Sequence, residues 1–342
     1  MRQIGLVVVV ALSLFHAPLA AEGQQAGKVW RIGFISVSHT NVEDSFFQQL
    51  RELGYVEGPN LLVERRYSEG RAERFAEFAA GFARQNVDMI VVTTTPAGLA
   101  ARNATKTIPI VQPNSIDPVG AGLAASLARP GGNFTGTTQQ APELVPKRLQ
   151  LLVETLPRVS RVDVIWNAAN PAFARPWKEI QDAGRTLGIH IQSREVRGPS
   201  DFERVFVAMA ASRPDALLFV GDQLTLQHGQ EIVNFVTQKR IPSMFDRPHL
   251  VTMGGLMSYG ADEEDSNRQA AIIADKIFKG AKPADLPMEQ PTRFQLRSWY
   301  ALIRSSSKAM FDPRVQVLRA AVGFAQWSIP SYDQALWTER IP

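Results

Sequence analysis

Two stretches of the chain, residues 29–138 and 161–260, each repeat an apolar strand, a short polar loop and an amphipathic helix. This alternation constrains the fold more than any other feature. The run Asp88-Met89-Ile90-Val91-Val92-Thr93 is apolar without a break, as a parallel strand covered on both faces must be. Such strands joined by helices build parallel sheets through right-handed crossovers. With 342 residues the chain has length for two such units. The expected fold is α/β, with two doubly wound parallel-sheet lobes joined by a hinge.

In the first half, strands are expected at 29–36, 61–67, 88–93 and 108–111. Phe46, Phe47, Leu50 and Leu53 recur at helical spacing before Gly54. A helix follows over 71–85, and Thr94-Thr95-Pro96 opens an alanine-rich one, with Pro at a favourable first-turn position. Another helix is expected to start at Asn114-Ser115-Ile116-Asp117-Pro118. In the second half, strands are expected at 161–166, 189–196, 216–220, 241–245 and 254–260. The helices there end at Leu187, start after a Ser200 cap, end at Lys239, and run over 262–279.

Composition narrows the function. Net charge is +4 with no long Lys/Arg run, which argues against nucleic-acid binding. The chain has no cysteine, so disulfides, thiolate metal sites, a Cys nucleophile and a lipid anchor on an N-terminal Cys are excluded. At the N-terminus Arg2 precedes the apolar run from Ile4 to Phe15, which falls short of the about 20 residues a membrane span needs. It has the size of a signal-peptide core, closed by Pro18 and by small residues in Ala21-Glu22-Gly23. Residues 1–23 are therefore read as a signal peptide, with Gln24 as the mature start. The protein is expected to be exported to the periplasm without a lipid anchor.

In open α/β sheets, ligands bind beyond the carboxyl ends of the strands, where helix N-termini present free N–H groups. Those places hold Ser36, Ser38 and His39; Thr93, Thr94 and Thr95; Asn114 and Asp117; Asn167 and Asn170; Asp222; and Asp246. Tyr259 stands in the last strand and turn. Hydroxyls and amides are neutral, directional groups suited to a small polar ligand. Asp117 and Asp222, one from each half, could pair with a ligand ammonium. The same residue types are ordinary helix caps and turn formers, so each also has a purely structural reading. Catalysis finds little support. His39, His190, His228 and His249 have no ligand-like spacing, and there is no nucleophile elbow, phosphate loop or metal motif. Gly131-Gly132-Asn133 precedes a strand and reads as a turn. No cofactor or metal is expected.

Several strings are specific: Leu50-Arg51-Glu52-Leu53-Gly54-Tyr55-Val56-Glu57-Gly58, Ile108-Pro109-Ile110-Val111, Asp117-Pro118-Val119 and Arg129-Pro130-Gly131-Gly132-Asn133-Phe134-Thr135-Gly136. Later come Gly254-Gly255-Leu256-Met257-Ser258-Tyr259-Gly260 and Gly280-Ala281-Lys282-Pro283-Ala284-Asp285-Leu286-Pro287. With these strings the chain resembles the ABC transporter substrate-binding protein family, of the tryptophan- and tyrosine-import-like kind, from about Trp30 to Leu296. The resemblance implies a type I periplasmic-binding-protein fold. The implied lobes are 28–138 with 261–285, and 139–260 with 286–296. It further implies hinge closure over a small ligand, an amino acid or related small metabolite, and delivery to an inner-membrane permease and ATPase. The protein is expected to be a monomer without enzymatic activity. A sensory protein of the same fold and an exported α/β enzyme are the competing functions.

After Leu296 the chain departs from the family pattern. Arg297-Ser298 is expected to interrupt the strand that Phe294-Gln295-Leu296 begins, and Trp299, Trp327 and Trp337 fall in a stretch without a clean period. A shifted reading frame would produce such a tail over 297–342; a genuine but unusual C-terminus is the alternative.

Overall fold

The computed structural model describes residues 28–39, 41–156 and 158–298. The expected signal segment and the tail beyond Ser298, with its three tryptophans, lie outside these residues. Five strands form the first sheet: β1 (Trp30–Ser36), β2 (Leu61–Tyr67), β3 (Met89–Val92), β4 (Ile110–Ser115) and β5 (Phe134–Thr138). Their order is β2-β1-β3-β4-β5 and every pairing is parallel. The second sheet holds β6 (Arg161–Asn167), β7 (His190–Val196), β8 (Ala216–Phe219), β9 (Ser243–Phe245), β10 (Met257–Ala261) and β11 (Phe294–Ser298). Its order is β11-β10-β9-β8-β6-β7, parallel except where β11 runs against β10. All four residues of β3 and of β8 are buried, as their unbroken apolar runs require.

Ten helices cover the sheets: α1 (Asn41–Glu52), α2 (Arg74–Gln85), α3 (Thr95–Ala104), α4 (Ala141–Thr155), α5 (Ala174–Leu187), α6 (Asp201–Ser212), α7 (Gln223–Gln227), α8 (Gly229–Lys239), α9 (Pro248–Thr252) and α10 (Glu263–Phe278), counted among the described residues. The last of them returns to the first sheet. Ala270, Ala274 and Phe278 of α10 close one core with Ile32, Phe34, Phe46 and Leu50. Trp30 stacks on Phe278 with centroids 4.4 Å apart, and Tyr55 Oη donates to Asp275 Oδ1 at 2.9 Å.

The chain passes between the sheets three times, after β5, after β10 and before β11. Backbone bonds tie these crossings together: Thr138 N to Glu289 O (2.9 Å), Glu289 N to Gly136 O (3.0 Å) and Asp262 N to Arg293 O (3.0 Å). The first two crossings leave from strand carboxyl ends. The carboxyl edges of both sheets therefore lie on the side of the other lobe.

The structure corrects three local expectations, and it adds a helix, α4, where none was expected. No helix starts after β4. Asp117 instead closes a turn, accepting from Gly120 N at 2.9 Å, and Gly122 takes a positive φ of 72° that a right-handed helix does not use. Ser200 makes no side-chain cap on α6; Asp201 accepts from Arg197 N and Gly198 N at 2.8 and 3.2 Å. Helix α4 forms around an interior Pro146, held by buried Leu144, Val145, Leu149 and Leu152. Strand β11 is not interrupted: Arg297 pairs with Ser258 and Ser298 with Met257. An edge strand needs only backbone pairing on one side, and a charged residue there suits its exposure.

Two phenols of the first lobe have raised pKa values. Burial and the bond to Asp275 push Tyr55 up to about 12, and burial and a 2.8 Å bond to Glu43 push Tyr67 up to about 12. Both folded values lie above the ordinary 10.0. Their stabilisation is therefore whole below pH 10 and drains as pH rises to about 12. Tyrosinate absorbance should show a late component that shrinks in the Tyr55→Phe, Tyr67→Phe double variant. Titration of all native tyrosines near pH 10 would contradict these environments.

Candidate ligand-binding site

At the carboxyl edge of the first sheet, β1 ends in buried Ser36, whose hydroxyl donates to Ser38 O (2.8 Å) and accepts from Thr93 Oγ1 (2.9 Å). Ser38 is half-buried beside it. His39 is exposed and sits 3.2 Å from the Asp44 carboxylate of α1. Thr94 caps α3 by accepting from Ala97 N at 3.3 Å. Next to it Thr95 is 1% exposed and its hydroxyl has no partner among the described residues. Asn114, next to last in β4, has φ of 53°, a left-handed conformation Asn tolerates. Its amide donates to Asn267 of α10, which donates in turn to Ser45 Oγ at 2.8 Å. Asn114 Oδ1, the Ser68 and Ser115 hydroxyls and Asp117 Oδ2 are buried without partners.

The second sheet differs. Asp222 is buried with both oxygens engaged. Oδ2 accepts from Asn167 Nδ2 (2.6 Å) and Asn170 Nδ2 (3.4 Å), while Oδ1 and the Thr225 side chain form a capping box at the start of α7. Burial pushes the Asp222 carboxyl up despite these donors. Asn167 and Asn170 also accept from Ala169 N and Ala172 N, at 2.9 and 3.1 Å. Asp246, one strand over, is 6% exposed and its Oδ1 has no partner. The absence of a side chain at Gly221 makes room for it, since a Cβ there would lie 2.3 Å from Asp246 Oδ2.

Two buried arginines flank Asp246. Arg247 Nε is 3.8 Å from Asp246 Oδ2 and has no hydrogen-bond partner, while its other end pairs with Glu263 at the start of α10. Arg148 reaches in from α4 and donates from Nε to Tyr259 O at 2.5 Å. Burial lowers Arg148 to about 10, against the opposing pull of Asp246, and lowers Arg247 also. The Tyr259 ring stacks on Phe294 with centroids 6.1 Å apart, and burial pushes its phenol up.

Beside the crossings lies a cavity of about 120 Å³, lined among others by Asp117, Thr138, Gln140, Glu143, Arg175 and Gln290. Arg175 pairs with Glu143 at 3.0 Å, and Gln140 donates to Gln290 across two crossings.

The candidate residues of the first half gather at one sheet edge, and Asn167, Asn170, Asp222 and Asp246 at the edge of the other, while Tyr259 lies mid-strand in β10 with its ring on Phe294. Sequence reasoning missed Ser68, Ser115, Arg148, Arg247 and Asn267. Arg247 follows Asp246 directly and carried the same strand-end signal. Arg148 and Asn267 lie inside helices and gave none.

Comparisons agree with this architecture. A family model described as ABC transporter substrate binding protein matches residues 35–297. A tyrosine-binding protein of Clostridioides difficile (strain R20291) is 25% identical over 255 residues, 74% of this chain and 73% of the relative. A conserved domain protein from Vibrio cholerae O1 biovar El Tor has a TM-score of 0.74 at 25% identity, over 79% of this chain and 92% of that one. The ABC domain from Streptococcus pneumonia in complex with L-Trp has a TM-score of 0.72 at 24% identity, over 77% and 89% of the two chains. The two parallel-dominated sheets match the type I periplasmic-binding-protein fold of these and other neighbours.

Proposed function

Because this chain belongs to the ABC transporter substrate-binding protein family, we propose that it is the exported solute-binding component of an ABC importer. It holds a small polar metabolite between two lobes and passes it to an inner-membrane permease and ATPase. One observation carries the reading: buried polar atoms without partners collect at the carboxyl edges of both sheets, on the sides turned toward the other lobe. Buried polar groups are rarely left unpaired, and a ligand that pairs them recovers a desolvation cost already incurred. The signal segment supports export, and no helix among the described residues is long and apolar enough to cross a membrane. The family and its structural neighbours are solute-binding proteins.

Of the two carboxylates proposed to meet the ligand, Asp222 orients Asn167 and Asn170, and Asp117 offers the open oxygen. Ser38, Thr95, Asn114 and Asp246 complete the contact set. A thermal-shift screen of purified protein should find a ligand that is bound and not consumed. At about 100 times its dissociation constant such a ligand adds about 2.7 kcal/mol of stability. Asp117→Asn keeps the cap to Gly120 N and turns the open acceptor into a donor. A hydrogen bond to a charged group contributes about 1.5–3 kcal/mol, so affinity measured by titration calorimetry should fall about ten- to a hundredfold. Unchanged affinity would return Asp117 to a turn-forming role, and a bound compound that is turned over would overturn the solute-binding reading.

A further inference from the structure

The second lobe's edge restricts the chemistry of the ligand. Arg148 and Arg247 carry two positive charges there, and Asp246 and Glu263 two negative ones. The four cancel, yet Asp246 Oδ1 remains an unpaired acceptor and Arg247 Nε an unpaired donor, on adjacent residues that are 6% and 8% exposed. A ligand ammonium at Asp246 would face both guanidinium groups. A ligand carboxylate at Arg247 would compete with Glu263 and approach Asp246. An aromatic ring would seal the donor and the acceptor from water with nothing to pair them. A hydroxyl donates one proton and accepts at two lone pairs, so it satisfies such a pair without adding charge.

The first lobe presents the same need. Ser68, Thr95 and Ser115 offer neutral hydroxyls, and Asp117 Oδ2 offers an acceptor. The strand ends after β6, β8 and β9 carry Asn167, Asp222 and Asp246, and the one aromatic candidate, Tyr259, is buried against Phe294.

We propose that the ligand is an uncharged, multiply hydroxylated molecule of the sugar or polyol class, with its hydroxyls bridging Asp246 and Arg247. The inference rests on the solute-binding reading above and names the class of solute. It sets this chain apart from the similar proteins whose names record tyrosine and L-Trp.

The test is titration calorimetry and thermal shift on the full purified chain with two panels. One holds D-ribose, D-glucose, D-glucitol and myo-inositol; the other holds L-tyrosine, L-tryptophan, L-leucine, L-lysine and L-glutamate. At least one member of the first panel should bind, with an affinity that barely changes between low and high salt, because an uncharged ligand leaves no Coulomb attraction to screen. Asp246→Asn and Arg247→Lys should each weaken that binding about tenfold or more. The panels and the salt dependence use the unaltered protein, so they decide the matter even where a variant fails to fold. Binding from the amino-acid panel alone overturns the inference and leaves the solute-binding reading standing. Polyol binding that Asp246→Asn leaves unchanged in a folded variant overturns the assignment to this pair. Silence from both panels, with no small molecule carried by the protein in native mass spectrometry, overturns both readings.

Discussion

Gly136→Ala should lower the melting temperature by on the order of 10 °C. Gly136 lies in β5 with φ of 145°, and a Cβ there would stand 2.1 Å from the backbone oxygen of Gln112 in β4. Neither strand can yield without breaking pairs in a buried sheet. Overpacking and backbone strain together come to about 3–5 kcal/mol, and each kcal/mol moves the melting point of a domain of this size by about 2–4 °C. The position also bears on function. Gly136 O accepts from Glu289 N at 3.0 Å, so the same residue anchors the third crossing to the first. Calorimetry of the variant is the check; a shift under about 2 °C would mean that β4 and β5 accommodate a methyl group between them.

Asp163→Ala should cost about 3–5 kcal/mol, because it strands a buried cation. Asp163 on β6 has a side chain 3% exposed, and Arg194 on β7, at 13%, donates to it from Nε at 2.6 Å. Arg194 also donates to Ser212 Oγ at 2.7 Å. Burial still pushes the Asp163 carboxyl up, which outweighs the pull of Arg194. Removing both charges is a different matter. Asp163→Leu with Arg194→Met replaces the pair by apolar contact, and such replacements are neutral or stabilising by about 1–4 kcal/mol. Urea unfolding of the single and double variants separates the two effects. A single variant within about 1 kcal/mol of the parent would show that water reaches Arg194 freely.

The fold was legible where a local pattern equals a structural requirement. Met89-Ile90-Val91-Val92 is wholly buried because a central parallel strand has no polar face, and Phe75, Phe78 and Phe82 share one side of α2 because helical spacing puts them there. Legibility failed where a distant partner decides. Pro146 breaks the local helix signal of α4, yet the apolar face packed on the second lobe holds the helix together. Arg297 looks like a strand stop, but pairing with Ser258 carries β11 through it. The site divides the same way. The residue types at the strand ends could be read from the sequence, and the state of each atom could not. Asp222 and Asp246 both follow apolar strands. Asn167, 55 residues earlier, saturates the first, and no donor does so for the second. Arg148 reaches Tyr259 O across 111 residues, a separation at which no sequence period speaks.

The return of α10 to the first sheet fixes an order of events in the life of the chain. Tyr55 and Asp275 meet across 220 residues, and Ser45 and Asn267 across 222. A nascent chain that has emerged only as far as β10 holds a first sheet with one side covered only in part, where Phe34 of β1 and Phe46 and Leu50 of α1 await Ala270, Ala274 and Phe278. The core on that side closes last, so the front of the protein does not lock into a finished body while the rear is still being made. For the export proposed above, late sealing of this kind leaves the leading portion unfinished until the rear has been made.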